Sequence, residues 1–319
     1  MAQTAHQTEV PGPIADVRFS RRLVKDFKRN KYVYVMLLPV VVYYLVFHYG
    51  PMYGIQIAFK EYSPGRGMWG SPWVGFRHFV DFFNGYYFMR VLRNTILLSV
   101  YSLIIGFPSS IILALLLNEV RNRIFKRTVQ SITYLPHFIS MVVVVGMMVD
   151  FLSSRGLINQ IVEWFGGRPI GFLTDPAWFR TLYIASGVWQ GIGWGSIIYL
   201  AAIANIDPTL YEASRVDGAS RFKQMWHITL PGIMPTILIL FILNMGSILA
   251  VDVDKILLLY NPLIYETSDV IGTYVYRKGI LQASYSYSTA VGLINAIINF
   301  VFLIVTNRLS RRMTDTKLW

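Results

Sequence analysis

The sequence predicts an all-α integral membrane protein with six transmembrane helices, and three observations carry that prediction. First, the 319 residues are 54% hydrophobic and only 14% charged, with a mean hydropathy of +0.46. A soluble domain carries about 25% charged residues, so this chain lacks the charge to cover a water-facing surface. Second, six stretches free of Asp, Glu, Lys and Arg each exceed the roughly 20 residues a helix needs to cross a hydrocarbon core about 30 Å thick. Third, the basic residues between those stretches alternate between dense and sparse loops. Disorder, a collagen-like chain and an ordinary globular enzyme are excluded together.

The six stretches are residues 32–59, 94–118, 128–149, 181–206, 224–251 and 279–307. Pro39, Pro108 and Pro136 lie inside them, which a membrane helix tolerates when neighbours satisfy the freed carbonyls. A seventh apolar stretch, 256–265, holds Pro262 and is too short to span; it reads as interfacial or re-entrant. Residues 1–31 form a polar, basic arm without the apolar core of a signal peptide, so the first stretch reads as an anchor. Phe19, Leu23, Val24 and Phe27 recur there at helical spacing. Either an amphipathic helix on the anionic leaflet or a disordered arm that only sets topology accounts for them.

Orientation follows from the basic residues. Segments 18–31, 119–130, 207–230 and 308–319 hold seven, four, three and four Lys or Arg. The alternate segments 60–93, 150–180 and 252–278 hold five, three and three, at less than half the density. The denser set is expected to face the cytoplasm. Both termini are then cytoplasmic, with residues 32–307 as the membrane domain and 308–319 as a tail. The formal net charge of +12 therefore marks membrane sidedness rather than a nucleic-acid partner.

No phosphate-binding Gly-Lys-Ser/Thr loop occurs, so the chain binds no ATP in that way. His6, His48, His78, His137 and His227 are scattered, without metal-ligand spacing, and there is no cysteine. No nucleophile turn is present. Asp150, Asp252 and Asp254 fall at span ends, so no intramembrane relay of ionisable groups is expected. Neither a catalytic residue nor a bound cofactor or metal is predicted.

Between the fourth and fifth stretches, residues 207–235 read as a helix-turn-helix. Asp207 suits an N-cap, and Pro208 suits the first helical position. Asp217-Gly218 supplies the stop, because glycine takes the left-handed conformation without a Cβ penalty. A second helix is expected from near Ser220, burying Phe222, Met225, Trp226 and Leu230 and broken by Pro231. A short rigid helix of this kind suits docking in a groove on another protein.

The run Glu212-Ala-Ser-x-x-Asp217-Gly218-Ala219, followed by Ile228-x-Leu230-Pro231-x-x-x-Pro235, resembles the EAA loop of permease subunits in bacterial ABC importers. Ser214 stands where that family usually has a second alanine. Tyr49-Gly-Pro-Met-Tyr-Gly54, Ser71-Pro-Trp-Val-Gly75, Tyr134-Leu-Pro-His-Phe-Ile-Ser140 and Tyr274-Val-Tyr-Arg277 extend the likeness to permeases for polysaccharides and oligosaccharides, of the alginate and polygalacturonan type. The resemblance implies a type I importer permease fold in the bacterial inner membrane. It also implies a second permease, two ATPase subunits that bind ATP and Mg²⁺, and a periplasmic solute-binding protein. Glu212, Ala213, Ser214, Asp217, Gly218 and Ala219 would then couple to an ATPase subunit.

For the substrate path, Ser186, Gln190 and Trp194 share one helical face of the fourth stretch, where amide, hydroxyl and indole suit a sugar. Trp189 lies on a neighbouring face, and Asn244, Asn295 and Asn299 are further in-span polar candidates. Gly187, Gly191 and Gly195 form a smooth stripe suited to close helix approach. The aromatic-rich external loops (Trp69, Trp73, Phe76, Phe79, Phe82, Tyr86, Tyr87) would serve as a docking rim or an interfacial belt. A stand-alone secondary sugar transporter is the competing reading. It would need intramembrane ionisable groups and inverted repeats, and neither is visible in the sequence.

Overall fold

The computed structural model describes residues 26–313. Phe19, Leu23 and Val24 of the expected leader helix, and residues 314–319 of the tail, lie outside them. Apart from one isolated antiparallel bridge between Lys60 and Trp73, the described residues form helices and turns. Five helices are long and apolar enough to cross a membrane, and a bent pair brings the number to six.

The chain divides into two units, Met1–Gln56 and Ile57–Trp319. The first carries helix Lys31–Tyr44 with Pro39 inside it, followed by a π-helical turn, Leu45–Tyr49. The second contains everything that follows.

In the second unit, span 2 runs over Phe88–Glu119 and span 4 over Pro176–Ala204. Span 4 is the central strut, packed against span 2, helix Arg123–Tyr134 and the segment after span 5. Leu98, Val145, Tyr183, Ile184, Ile256 and Val270 form one buried cluster around it. A second cluster toward its C-terminal end joins Ile111, Ala114, Tyr199, Ile203 and Ile233. A third, of Phe82, Val91, Ile271, Tyr274 and Val291, anchors span 6. Phe82, expected on a docking rim, is thus a core residue.

The third stretch differs from expectation. It does not run as one helix over 128–149 but breaks at the 3-10 turn Leu135–Phe138, which contains Pro136. The preceding helix, Arg123–Tyr134, carries Arg123, Lys126 and Arg127 and is amphipathic. The apolar span restarts at Met141, where Ser140 caps it by accepting from the Val143 amide at 3.4 Å, and reaches Trp164. A proline cannot donate into the ladder, and after the turn the backbone becomes extended at Ile139 and Ser140, with ψ of 130° and 148°. The chain therefore turns before it enters the span.

Span 5 is also broken. Residues Arg221–Gly232 and Met234–Met245 meet at 57° across Ile233. Pro231 does not itself end the first helix. A π-helical turn, Met225–Thr229, precedes it by two residues, as Ser102–Gly106 precedes Pro108 and Leu45–Tyr49 precedes Pro51. The common cause is steric. A proline ring clashes with the carbonyl four residues earlier, and one extra residue in the turn moves that carbonyl aside.

The stretch 256–265 does not span. Helix Val253–Leu259 and the turn Pro262–Ile264 belong to a folded-back segment held on spans 2 and 4. Asn94 Nδ2 donates to the carbonyls of Glu266 (2.8 Å) and Asp269 (3.0 Å), and the Ile271 amide donates to Thr95 Oγ1 at 2.9 Å. Asp269, almost wholly buried, accepts from Arg277 Nη2 at 2.6 Å and from Thr273 Oγ1 at 2.9 Å. A buried carboxylate is costly unless paired in this way, so these bonds fix the segment in place.

Candidate functional site

The hairpin between spans 4 and 5 is built from local signals. Asp207 Oδ1 accepts from the Thr209 amide at 2.9 Å and starts helix Pro208–Val216. That backbone bond, the largest contribution, holds the Asp207 carboxyl below the usual carboxylate range. At the other end the Gly218 amide donates to the Arg215 carbonyl (3.1 Å) and the Ala219 amide to the Ser214 carbonyl (2.9 Å). This paired C-cap requires a left-handed residue, and Gly218 has φ +74°. Ser220 then caps the second helix by accepting from the Lys223 amide at 3.4 Å.

What the hairpin exposes is distinctive. Glu212, Ala213, Asp217 and Gly218 are exposed, and Ser214 and Ala219 are partly buried. Glu212 makes no ion pair among the described residues. Phe222 and Trp226 were expected to be buried, but they are 69% and 57% exposed and stacked on each other with ring centroids 6.5 Å apart. The π-helical turn explains the difference. It puts residues five apart on one face, so Gln224 and Thr229 turn inward, and Thr229 Oγ1 meets the Tyr211 hydroxyl at 2.9 Å. Val216 is 89% exposed at the tip. The hairpin therefore presents uncovered apolar groups between charged ones.

Beyond it, spans 2, 4 and 5 line a half-open cavity of about 690 Å³. Its wall includes Ser99, Ser102 and Ser110 from span 2, Gln190 from span 4, Asn244 and Ser247 from span 5, and Asp252 and Lys255 beyond it. Lys255 is only 2% exposed, and its Nζ donates to the Tyr183 carbonyl at 2.9 Å and lies 4.8 Å from the Tyr183 ring centre. No carboxylate oxygen among the described residues lies within 4.0 Å of it. Burial pushes the Lys255 ammonium down to about 8, and the field of Asp252 opposes that fall. Ser99 Oγ is buried on the same cavity wall without a hydrogen-bond partner.

Residues 106–315, two thirds of the chain, match the profile of the family described as "Binding-protein-dependent transport system inner membrane component". The chain belongs to that family. Protein LplB of Bacillus subtilis (strain 168) is 44% identical over 293 residues, 92% of each chain. The polygalacturonan/rhamnogalacturonan transport system permease protein YteP of the same organism is 45% identical over 296 residues, again 92% of each chain. A chain in the crystal structure of a bacterial alginate ABC transporter, in complex with an alginate pentasaccharide-bound periplasmic protein, superposes with a TM-score of 0.87 at 47% identity. That match covers 93% of this chain and 100% of the other.

Within this inner membrane component, the cavity gathers only some of the sequence candidates. Gln190 and Asn244 line it. Gln190 Nε2 donates to the Ile139 carbonyl at 3.1 Å, and Asn244 Nδ2 to the Leu240 carbonyl at 2.9 Å, leaving both amide oxygens without a partner among the described residues. Ser186, Trp189, Trp194, Asn295 and Asn299 do not line it. Ser186 Oγ donates back to the carbonyls of Leu182 and Tyr183, the latter at 3.1 Å. Trp194 stacks on His137 with centroids 4.4 Å apart, so one face expected for a sugar is already covered. Asn299 Oδ1 accepts from the Leu249 amide at 3.0 Å, where span 5 loses its helix. Asn295 Oδ1 is buried without a partner.

The glycine stripe is also divided in its use. A Cβ on Gly195 would collide with Ser110, as helix approach requires, but one on Gly191 would meet nothing within 4 Å. All three glycines also lie in the cavity wall. Lys255 is the main residue sequence reading missed. It was one of the sparse external bases, and Asp252 was only a span end, yet both reach the cavity. The signal available was its place directly before an apolar run too short to span.

Proposed function

We propose that this chain is one permease subunit of an ATP-driven importer in the bacterial inner membrane. With a second permease it forms the path by which an acidic oligosaccharide enters by alternating access. The observation that carries the reading is the hairpin. It is a rigid, fully capped element whose tip and second helix leave Val216, Phe222 and Trp226 uncovered beside an unpaired Glu212. Burying each such apolar side chain yields about 1.5–3 kcal/mol, which suits a cleft on an ATPase subunit. That subunit would bind ATP and Mg²⁺, with the periplasmic solute-binding protein on the opposite face.

In this mechanism, closure of the two ATPase subunits moves the paired hairpins, and the movement reaches the cavity through spans 2 and 5, which adjoin the hairpin. The names of the relatives support a polymer of sugar acids as cargo, since alginate and polygalacturonan are both built from uronate units. Both termini are cytoplasmic in this reading, as the basic-residue count implies. The test is Glu212→Lys or Gly218→Asp in proteoliposomes holding the whole complex. Each is expected to leave assembly intact while ATP hydrolysis no longer drives uptake. Normal substrate-stimulated uptake by both variants contradicts the assignment.

A further inference from the structure

We infer that Lys255 is a carboxylate-reading subsite in the cavity wall, the group that recognises a uronate unit as it passes. The inference rests on the importer reading and deepens it by naming the residue that senses the charge.

Three observations carry it. A buried ammonium is costly unless paired or fully hydrogen-bonded. Lys255 is 2% exposed, has three N–H donors, and spends one on the Tyr183 carbonyl at 2.9 Å. No carboxylate oxygen among the described residues lies within 4.0 Å of Nζ, although the neighbouring Asp252 shares the cavity wall. The Asp252 carboxylate instead caps helix Val253–Leu259, accepting from the Lys255 amide at 3.1 Å. The protein therefore holds a positive charge in place with Asp252 near but no carboxylate in contact, and leaves the contacting counter-ion to whatever fills the space.

The space in front of it is kept open. A Cβ on Gly187 would stand 3.6 Å from Lys255 Nζ, and glycine leaves that position empty. On the same wall, Ser99 is 4% exposed and its Oγ has no partner. A hydroxyl that can donate and accept, beside an ammonium that can only donate, matches a sugar acid, which offers a carboxylate and hydroxyls together. The Gln190 and Asn244 amide oxygens add acceptors for further hydroxyls. A phosphate-bearing sugar would satisfy the ammonium as well, but its extra charge would meet Asp252 in the same cavity.

The test uses the full importer in proteoliposomes with its binding protein, and reads oligouronate taken up per ATP hydrolysed. Lys255→Gln is expected to lower that ratio about tenfold, and Lys255→Arg to hold it within twofold of the unaltered complex. An unmoved ratio in Lys255→Gln, or an equal fall in both variants, overturns the assignment. Should Lys255→Gln fail to assemble, the unaltered complex still decides. Carbodiimide-activated oligouronate is expected to form an amide with Lys255 Nζ, read by peptide mass spectrometry. Labelling confined to other lysines contradicts it. A complex that takes up no sugar at all, and whose ATP hydrolysis ignores the loaded binding protein, removes the importer reading and this one with it. A complex that imports normally with an unmoved ratio removes this one alone.

Discussion

Arg221 ties the hairpin to the end of span 2: its Nη1 donates to the Glu119 carbonyl at 3.1 Å and lies 3.7 Å from Glu119 Oε2. The hairpin helix therefore has a direct bond to a span that lines the cavity. The pair is half exposed, and such pairs contribute only about 0–1 kcal/mol to stability. The consequence expected under the proposed coupling is mechanical rather than energetic.

Arg221→Ala is accordingly expected to leave the melting temperature of the complex nearly unchanged while reducing sugar transported per ATP severalfold. Parallel assays of unfolding and uptake check this. A drop in melting temperature with an unaltered transport ratio would make the bond merely structural.

The uncovered aromatics give a second expectation. Phe222→Ala and Trp226→Ala each remove an exposed ring from the second hairpin helix. Central aromatic anchors at interfaces cost about 2 kcal/mol or more when truncated, so retention of ATPase subunits in pull-downs should fall at least tenfold. The permease pair should stay intact, because neither ring belongs to a core cluster.

Packing beneath span 4 yields a third. A Cβ on Gly193 would collide with the Thr133 carbonyl, which is backbone and cannot swing away. Gly193→Ala should destabilise the complex by about 1–3 kcal/mol, in the range of overpacked cores. Gly191→Ala, with open space at its Cβ, should be tolerated. Thermal unfolding of the two variants side by side distinguishes them.

The Lys255 ammonium supplies a pH dependence. Burial pushes it down to about 8, so the charged form is present below that value and lost above it. Asp252 shares the wall and stabilises the charge, and His137 lines the same cavity. Uptake of an oligouronate should fall as pH rises over about two units through that point. In Lys255→Arg, whose guanidinium stays charged, the fall should be absent. Uptake profiles of both complexes across the same range check it.

What the sequence made legible was what local chemistry determines. The hairpin could be read because its caps lie within two to five residues of their partners: Asp207 on Thr209, Gly218 on Arg215, Ala219 on Ser214. The spans could be read because charge-free length is a property of the chain alone. The exposure of Phe222 and Trp226 was misjudged because a π-helical turn shifts the register that ordinary helical spacing assumes. The third span was placed too early because Pro136 separates an amphipathic helix from the apolar one, while residues 128–149 carry no Asp, Glu, Lys or Arg across that break. Lys255 was invisible because its burial depends on Tyr183, 72 residues earlier in the chain. The stacking of His137 on Trp194 was not legible because only the fold brings the two rings together.

The most direct measurement is oligouronate uptake into ATP-loaded proteoliposomes, made with and without the ATPase subunits while the permease pair and binding protein are kept constant. Accumulation against a gradient only when the ATPase subunits are present, and abolished by Gly218→Asp, is the predicted result. Uphill accumulation by this polypeptide alone, driven by an ion gradient and halted by an ionophore, would contradict it.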